Sequence, residues 1–255
     1  MISLNEAQIV EWLSPYLWTF LRVLAVFTAA PIFSSRAFPV RARIGLALLI
    51  AIAVQPSIQG QPVISVTGSQ AFGATIQQVG IGLAIGFAVR LVFAAVELAG
   101  EVVGFQMGLN FASFFDPTLN NQSSAVARFF GQMAALLFVV LNGHLIVTMV
   151  VVRSFEAFPL DQNFLEALKT MKLYALGANI FASGLWIALP MIGMLMFVNL
   201  GLGIVSRVAP QMNIYAIGFP VTLTVGLIGM TATLPMLDQP MMVLMERVMD
   251  LFTRK

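Results

Sequence analysis

Few residues in this chain have side chains suited to chemistry. Four charged groups, Arg22, Arg90, Glu97 and Glu101, lie inside otherwise apolar runs. A charge at mid-bilayer depth costs roughly 2.5–3.5 kcal/mol on insertion scales, so such residues are functional candidates by default. Glu97 and Glu101 are four apart and share a helix face, with Arg90 two turns away on that side. That pattern fits a proton or substrate site in a secondary transporter. Ion pairs that hold an assembly together are the better fit, because intramembrane charges find partners and two carboxylates at one spacing are weak evidence for a relay. His144, in LNGHLIV, is the single histidine and cysteine is absent, so no metal-ligand set is expected. Ser123 and Ser124 have no base nearby in sequence, which leaves no nucleophile constellation. The chain is expected to be non-enzymatic, with no catalytic residue and no cofactor.

Composition says what surrounds these groups. The 255 residues are 59% hydrophobic and 9% charged, with a mean hydropathy of +0.93. Soluble domains carry about 25% charged residues, so this chain needs lipid or protein partners to cover its apolar surface. A net charge of +2 makes nucleic acid a poor partner. The opening MISLNEAQIVEW carries Glu6 and Glu11 and no basic segment, unlike a cleavable signal peptide.

The stretch that the other elements must position is Gly104 to Arg128, GFQMGLNFASFFDPTLNNQSSAVAR. Phe111, Phe114 and Phe115 lead into Asp116-Pro117 and a polar run containing Asn120 and Asn121. Proline lacks an N–H and restricts the residue before it, so Asp-Pro ends a helix. Irregular backbone is not tolerated against lipid, so this bend must meet water or line a protein-walled cavity. An ordinary interhelical loop would not need three rings, each contributing roughly 1.5–3 kcal/mol when buried. A plug or gate loop uses them. Methionine is common, fifteen in all, and suits surfaces that re-pack. Met107, beside the bend, is the one best placed to seal.

The elements around it read as broken and kinked helices of an all-α membrane protein. Trp12 to Ser35 is apolar, and Arg36, Arg41 and Arg43 then form the densest basic cluster, which the positive-inside rule makes cytoplasmic. Ile44 to Ile58 is broken at Pro56 and falls short of the roughly 20 residues of a span. Ala71 to Met107 suits one bent helix or two short ones. Its Gly100, Gly104 and Gly108 repeat every fourth residue, the pattern that lets helix backbones approach closely. Phe129 to Val152 is the cleanest single span, and Leu173 to Ser206 is charge-free and interrupted at Pro190. Met236 to Lys255 is amphipathic, with Met241, Met245, Val248 and Phe252 on one face for a partner or an interface.

Three segments carry a family resemblance. Pro210-Gln211-Met212-Asn213 running to Gly218-Phe219-Pro220 resembles the signature of the FliR family of flagellar export-gate proteins, counterparts of SctT in injectisome type III secretion. Ala30-Pro31-Ile32-Phe33 with the basic residues to Arg43 is similar to that family's first loop, and Gly104 to Ser124 to its Asp-Pro loop. The resemblance implies a subunit of a helical multi-subunit export gate in the bacterial inner membrane, within the flagellar basal body. FliP, FliQ and FlhB would be its partners and unfolded flagellar proteins its cargo. It also implies a FliP-like part over residues 1–172, with the plug loop at about 104–124, and a FliQ-like helical hairpin over 173–255. Carried onto this chain, the plug residues would be Met107, Phe111, Phe114, Phe115 and Asp116, with Pro117 and Asn120. Pro210, Gln211, Asn213, Gly218 and Pro220 would be the family signature, and Arg22, Arg90, Glu97 and Glu101 would serve assembly.

Overall fold

A computed structural model describes residues 6–58, 64–109, 124–160, 173–211 and 213–253. Among them every regular element is helical: α1 (Glu6–Ala29), α2 (Pro31–Ser34), α3 (Val40–Val54) with a 3-10 turn (Gln55–Ile58), α4 (Ala71–Gln106), α5 (Ala125–Val140), α6 (Gly143–Ala157), α7 (Leu173–Val208), α8 (Ile214–Thr233) with a 3-10 turn (Leu234–Met236), and α9 (Asp238–Thr253). Four helices among the described residues are long and apolar enough to cross a membrane, or five if α5 and α6 make one span. This is an all-α membrane protein.

The chain forms two compact units. One comprises residues 1–91, 142–177 and 244–255, and the other comprises 92–141 and 178–243. In the first, α1 lies along α4 at two glycines. A Cβ at Gly86 would stand 2.8 Å from the Val26 carbonyl oxygen and 2.6 Å from Ala29 Cβ, and one at Gly82 would strike the Arg22 carbonyl. Trp18 packs with Ala74 and Leu160, and its indole donates to the Ile64 carbonyl at 3.0 Å. Phe27 stacks on Phe33 at 4.3 Å, which fixes the turn into α2.

In the second unit, α4 and α5 run antiparallel. Gly100 faces Ala127 and Phe130, Gly104 faces Ser124, and Phe93 meets Phe138 at 5.6 Å. Helices α7 and α8 also pair antiparallel, since Gly218 faces Leu202 while Gly229 faces Met191 and Met194. Gly184 of α7 meets the Ala95 carbonyl of α4.

Several sequence expectations change. Phe129 to Val152 is two helices, because Asn142 takes φ 56° between α5 and α6. Asn-Gly is a turn dipeptide, and asparagine tolerates the left-handed region better than other side chains. Helix α7 runs unbroken through Pro190. One missing hydrogen bond does not stop a helix of 36 residues whose alternative is to expose more backbone to hydrocarbon. The short run at Ile44 extends back to Val40 and through Pro56, giving 19 residues. In α9 the apolar face is used inside this chain: Met241, Met245, Val248 and Phe252 are buried. Gly108 leaves the glycine stripe and ends the helix, with φ 79°.

Candidate functional site

The end of α4 is held from three sides within one unit. Met107 is fully buried. A Cβ at Gly226 of α8 would lie 2.6 Å from Met107 Cγ and Cε, so the thioether occupies the notch that this glycine leaves. The Thr222 hydroxyl lies 3.3 Å from the Met107 carbonyl and about as close to the Gly218 and Phe219 carbonyls of its own helix, so its one proton is shared among them. Gly108 then turns the chain in a left-handed conformation, 3.6 Å from the Phe219 ring measured from its ideal Cβ position. The other leg returns at Ser124. Its Oγ accepts from the Ala127 N–H at 3.0 Å, capping α5. Its own N–H donates to Glu101 Oε2 at 3.2 Å. A cavity of about 410 Å³ opens here, lined by Met107, Leu109, Val126, Phe129, Leu227 and Met230 among others, and is apolar apart from Thr231.

Phe111, Phe114, Phe115, Asp116, Pro117 and Asn120 lie outside the described residues. What the structure places is their footing. Leu109 and Ala125, on either side of them, both line the apolar cavity.

The signature residues lie in the break between α7 and α8 and in the first turns of α8. Pro210 and Gln211 are exposed in the break between α7 and α8. Asn213 caps α8, its Oδ1 accepting from the Ala216 N–H at 3.3 Å. Gly218 is buried against Leu202, and Pro220 is exposed.

The four charges do not form one cluster. Glu101 is half-buried on the Ser124 N–H, and Glu97 lies beside Gly131 of α5. Arg90 is exposed. Arg22 belongs to the other unit and is wholly buried. Its Nε donates to Gln78 Oε1 at 2.7 Å, Nη1 to Ser154 Oγ at 2.9 Å and Nη2 to the Phe158 carbonyl at 3.0 Å. The guanidinium lies 3.6 Å from the centre of the Phe155 ring, a cation–π arrangement. Gln77 Nε2 donates to the Pro159 carbonyl at 2.9 Å, while Gln77 Oε1 and Gln78 Nε2 are buried without a hydrogen-bond partner. No group of three or more His, Cys, Asp or Glu that could hold a metal occurs among the described residues.

Sequence reasoning missed Gln77, Gln78, Thr222 and the second glycine pair, Gly82 and Gly86. Gly82 and Gly86 repeat the same spacing of four earlier in α4, so that signal was legible. The two glutamines showed only as amides in an apolar run.

Residues 13–248 match the family model described as bacterial export proteins, family 1. The chain belongs to that family. It is 41% identical over 237 residues to "Flagellar biosynthetic protein FliR" of Escherichia coli (strain K12), covering 93% of this chain and 90% of the relative. It is 40% identical over 253 residues to the protein of the same name in Pectobacterium carotovorum subsp. carotovorum, covering 98% and 96%. With Bacillus subtilis (strain 168) the identity is 29% over 223 residues, 86% of each chain. The FliR-family resemblance drawn from the motifs holds across nearly the whole length.

Proposed function

We propose that this chain is a non-enzymatic core subunit of the flagellar type III export gate in the bacterial inner membrane, and that it helps form and plug the pore for unfolded flagellar proteins. Its partners are FliP, FliQ and FlhB, and energy comes from elsewhere. Residues 1–172 act as the FliP-like part and 173–255 as the FliQ-like hairpin.

The observation that supports the plug assignment is how the described chain is held on either side of residues 110–123. Met107 is seated on Gly226 and Thr222, and Ser124 is tied to Glu101. Met107, and Ala125 next to Ser124, line an apolar cavity. A loop built on such a base can present Phe111, Phe114 and Phe115, with Asp116, Pro117 and Asn120, to a lumen. Apolar constrictions of this kind close by excluding water. Arg22, Arg90, Glu97 and Glu101 serve assembly, Arg22 by tying three helical segments and Glu101 by holding the second leg of the loop.

Deleting Phe111 to Gln122 tests the assignment. The complex with co-expressed partners should still assemble but leak ions, and a deletion as ion-tight as the parent overturns the plug. The alternative is a secondary transporter acting at Arg90, Glu97 and Glu101. It predicts a chain that purifies without partners and binds a small ligand.

A further inference from the structure

The basic cluster at the start of α3 has no partner among the described residues of this chain. Arg36 and Arg41 are exposed and Arg43 is half-buried. No ion pair or side-chain hydrogen bond joins any of the three to another described residue, and Arg43 Nε is enclosed without an acceptor. Three cations without a carboxylate among the described residues, one with a buried N–H, call for an anion from outside them.

The helix beyond the cluster says which anion. Ile44, Leu48 and Ile52 are exposed and succeed one another at a spacing of four, with Leu49 beside them. Arg41, Leu48 and Ile52 are seven and eleven residues apart, so Arg41 stands at the head of this stripe on the same face. Helix α3 with its 3-10 turn has 19 residues, only 22% of its apolar window buried in the chain. Rises of about 1.5 Å per α-helical and about 2 Å per 3-10 residue make it roughly 30 Å long, the thickness of a bilayer's hydrocarbon core. Elsewhere in the chain, helices meet at glycine notches such as Gly86, Gly100 and Gly229, where a Cβ would collide. On α3 the exposed stripe is of branched aliphatic side chains, a surface an acyl chain covers, and the exposed Gly45 beside it meets nothing within 4 Å.

We infer that α3 is a binding site for an anionic phospholipid. Its phosphate is held by Arg36, Arg41 and Arg43, and its acyl chain lies along Ile44, Leu48 and Ile52. Guanidinium groups take phosphate oxygens in pairs, and headgroup phosphates lie at the depth where the arginines end the apolar stripe. The inference rests on the reading of the chain as an inner-membrane subunit, which places the cluster on the leaflet that carries anionic lipid.

The test uses the delipidated complex with its co-expressed partners, titrated with phosphatidylglycerol or phosphatidylcholine while its thermal midpoint is followed. Each arginine near the surface favours anionic lipid about 5-fold, so three give a preference on the order of 100-fold. The combined variant Arg36→Gln, Arg41→Gln, Arg43→Gln should lose that preference, and the matching Arg→Lys variant should keep most of it. A photoreactive phosphatidylglycerol should label residues 36–52 in the parent and not in the Gln variant. An undiminished preference in the Gln variant overturns the inference. So does crosslinking of these arginines to a partner subunit's carboxylates, with a partner helix packed on the exposed Gly45. Motility, measured in parallel, reports on the export reading separately, so loss of one does not carry the other.

Discussion

The Arg22–Gln78 pair permits a prediction whose magnitude can be worked from the structure. Replacing Gln78 by Leu strips the Arg22 Nε–H of its acceptor at 2.7 Å. A hydrogen bond to a charged group contributes about 1.5–3 kcal/mol, and the loss is felt in full because Arg22 is wholly buried. The same substitution removes Gln78 Nε2, which is buried without a partner, and so relieves about 1–3 kcal/mol. The two terms oppose, and the single variant's stability is a poor measure of the bond. A double-mutant cycle separates them. The relief from Nε2 occurs whether position 22 carries arginine or methionine, so it cancels and leaves the charge-assisted bond. Arg22→Met, Gln78→Leu and the double variant should show a coupling energy of about 1.5–3 kcal/mol. For a chain of this size each kcal/mol moves the midpoint by about 2–4 °C, so the coupling should read as roughly 3–12 °C. Unfolding of the detergent-purified complex can be followed by tryptophan fluorescence, with Trp18 buried in the same unit. A coupling below about 0.5 kcal/mol, the ordinary error of additivity, would refute the claim that this pair is a working bond.

Four further outcomes are expected. Gly100→Val puts a side chain 2.8 Å from Ala127 Cα, where backbone cannot yield, and should lower the midpoint by an amount matching about 2–3 kcal/mol. Gly45→Ala, with nothing within 4 Å, should be neutral or gain up to about 1 kcal/mol in the same melts. Gly108→Ala should cost about 1–2 kcal/mol at its φ of 79°, with Gly108→Asn costing less, as read by thermal unfolding. Ser124→Ala should cost about 1 kcal/mol by removing the α5 cap, and hydrogen exchange should show the gain in opening confined to the first turn of α5.

Much of this protein was legible before any coordinates. Low charge and long apolar runs made it an all-α membrane protein, because no globule of 255 residues can hide a 59% hydrophobic chain. The alternation in α9 marked its buried face, since a period of 3.6 puts Met241, Met245, Val248 and Phe252 on one side whatever they meet. The proline-glutamine signature named a family.

Position in space was decided elsewhere. Whether Pro190 ends a helix depends on the cost of exposing backbone in competition with packing around it, and composition carries neither. Glu101 read from the sequence as one of several charges on a helix face that would find ionic partners. The fold instead places a backbone N–H of Ser124 at 3.2 Å, and a carboxylate takes the donor it can reach. Arg22 looked like half of an ion pair, yet its described acceptors are an amide, a hydroxyl and a carbonyl from segments up to 136 residues away. Met107 shows the division most plainly. Its neighbours in sequence marked it as a seal, but only tertiary packing could bring Gly226 opposite and leave the vacant Cβ volume that a thioether fills.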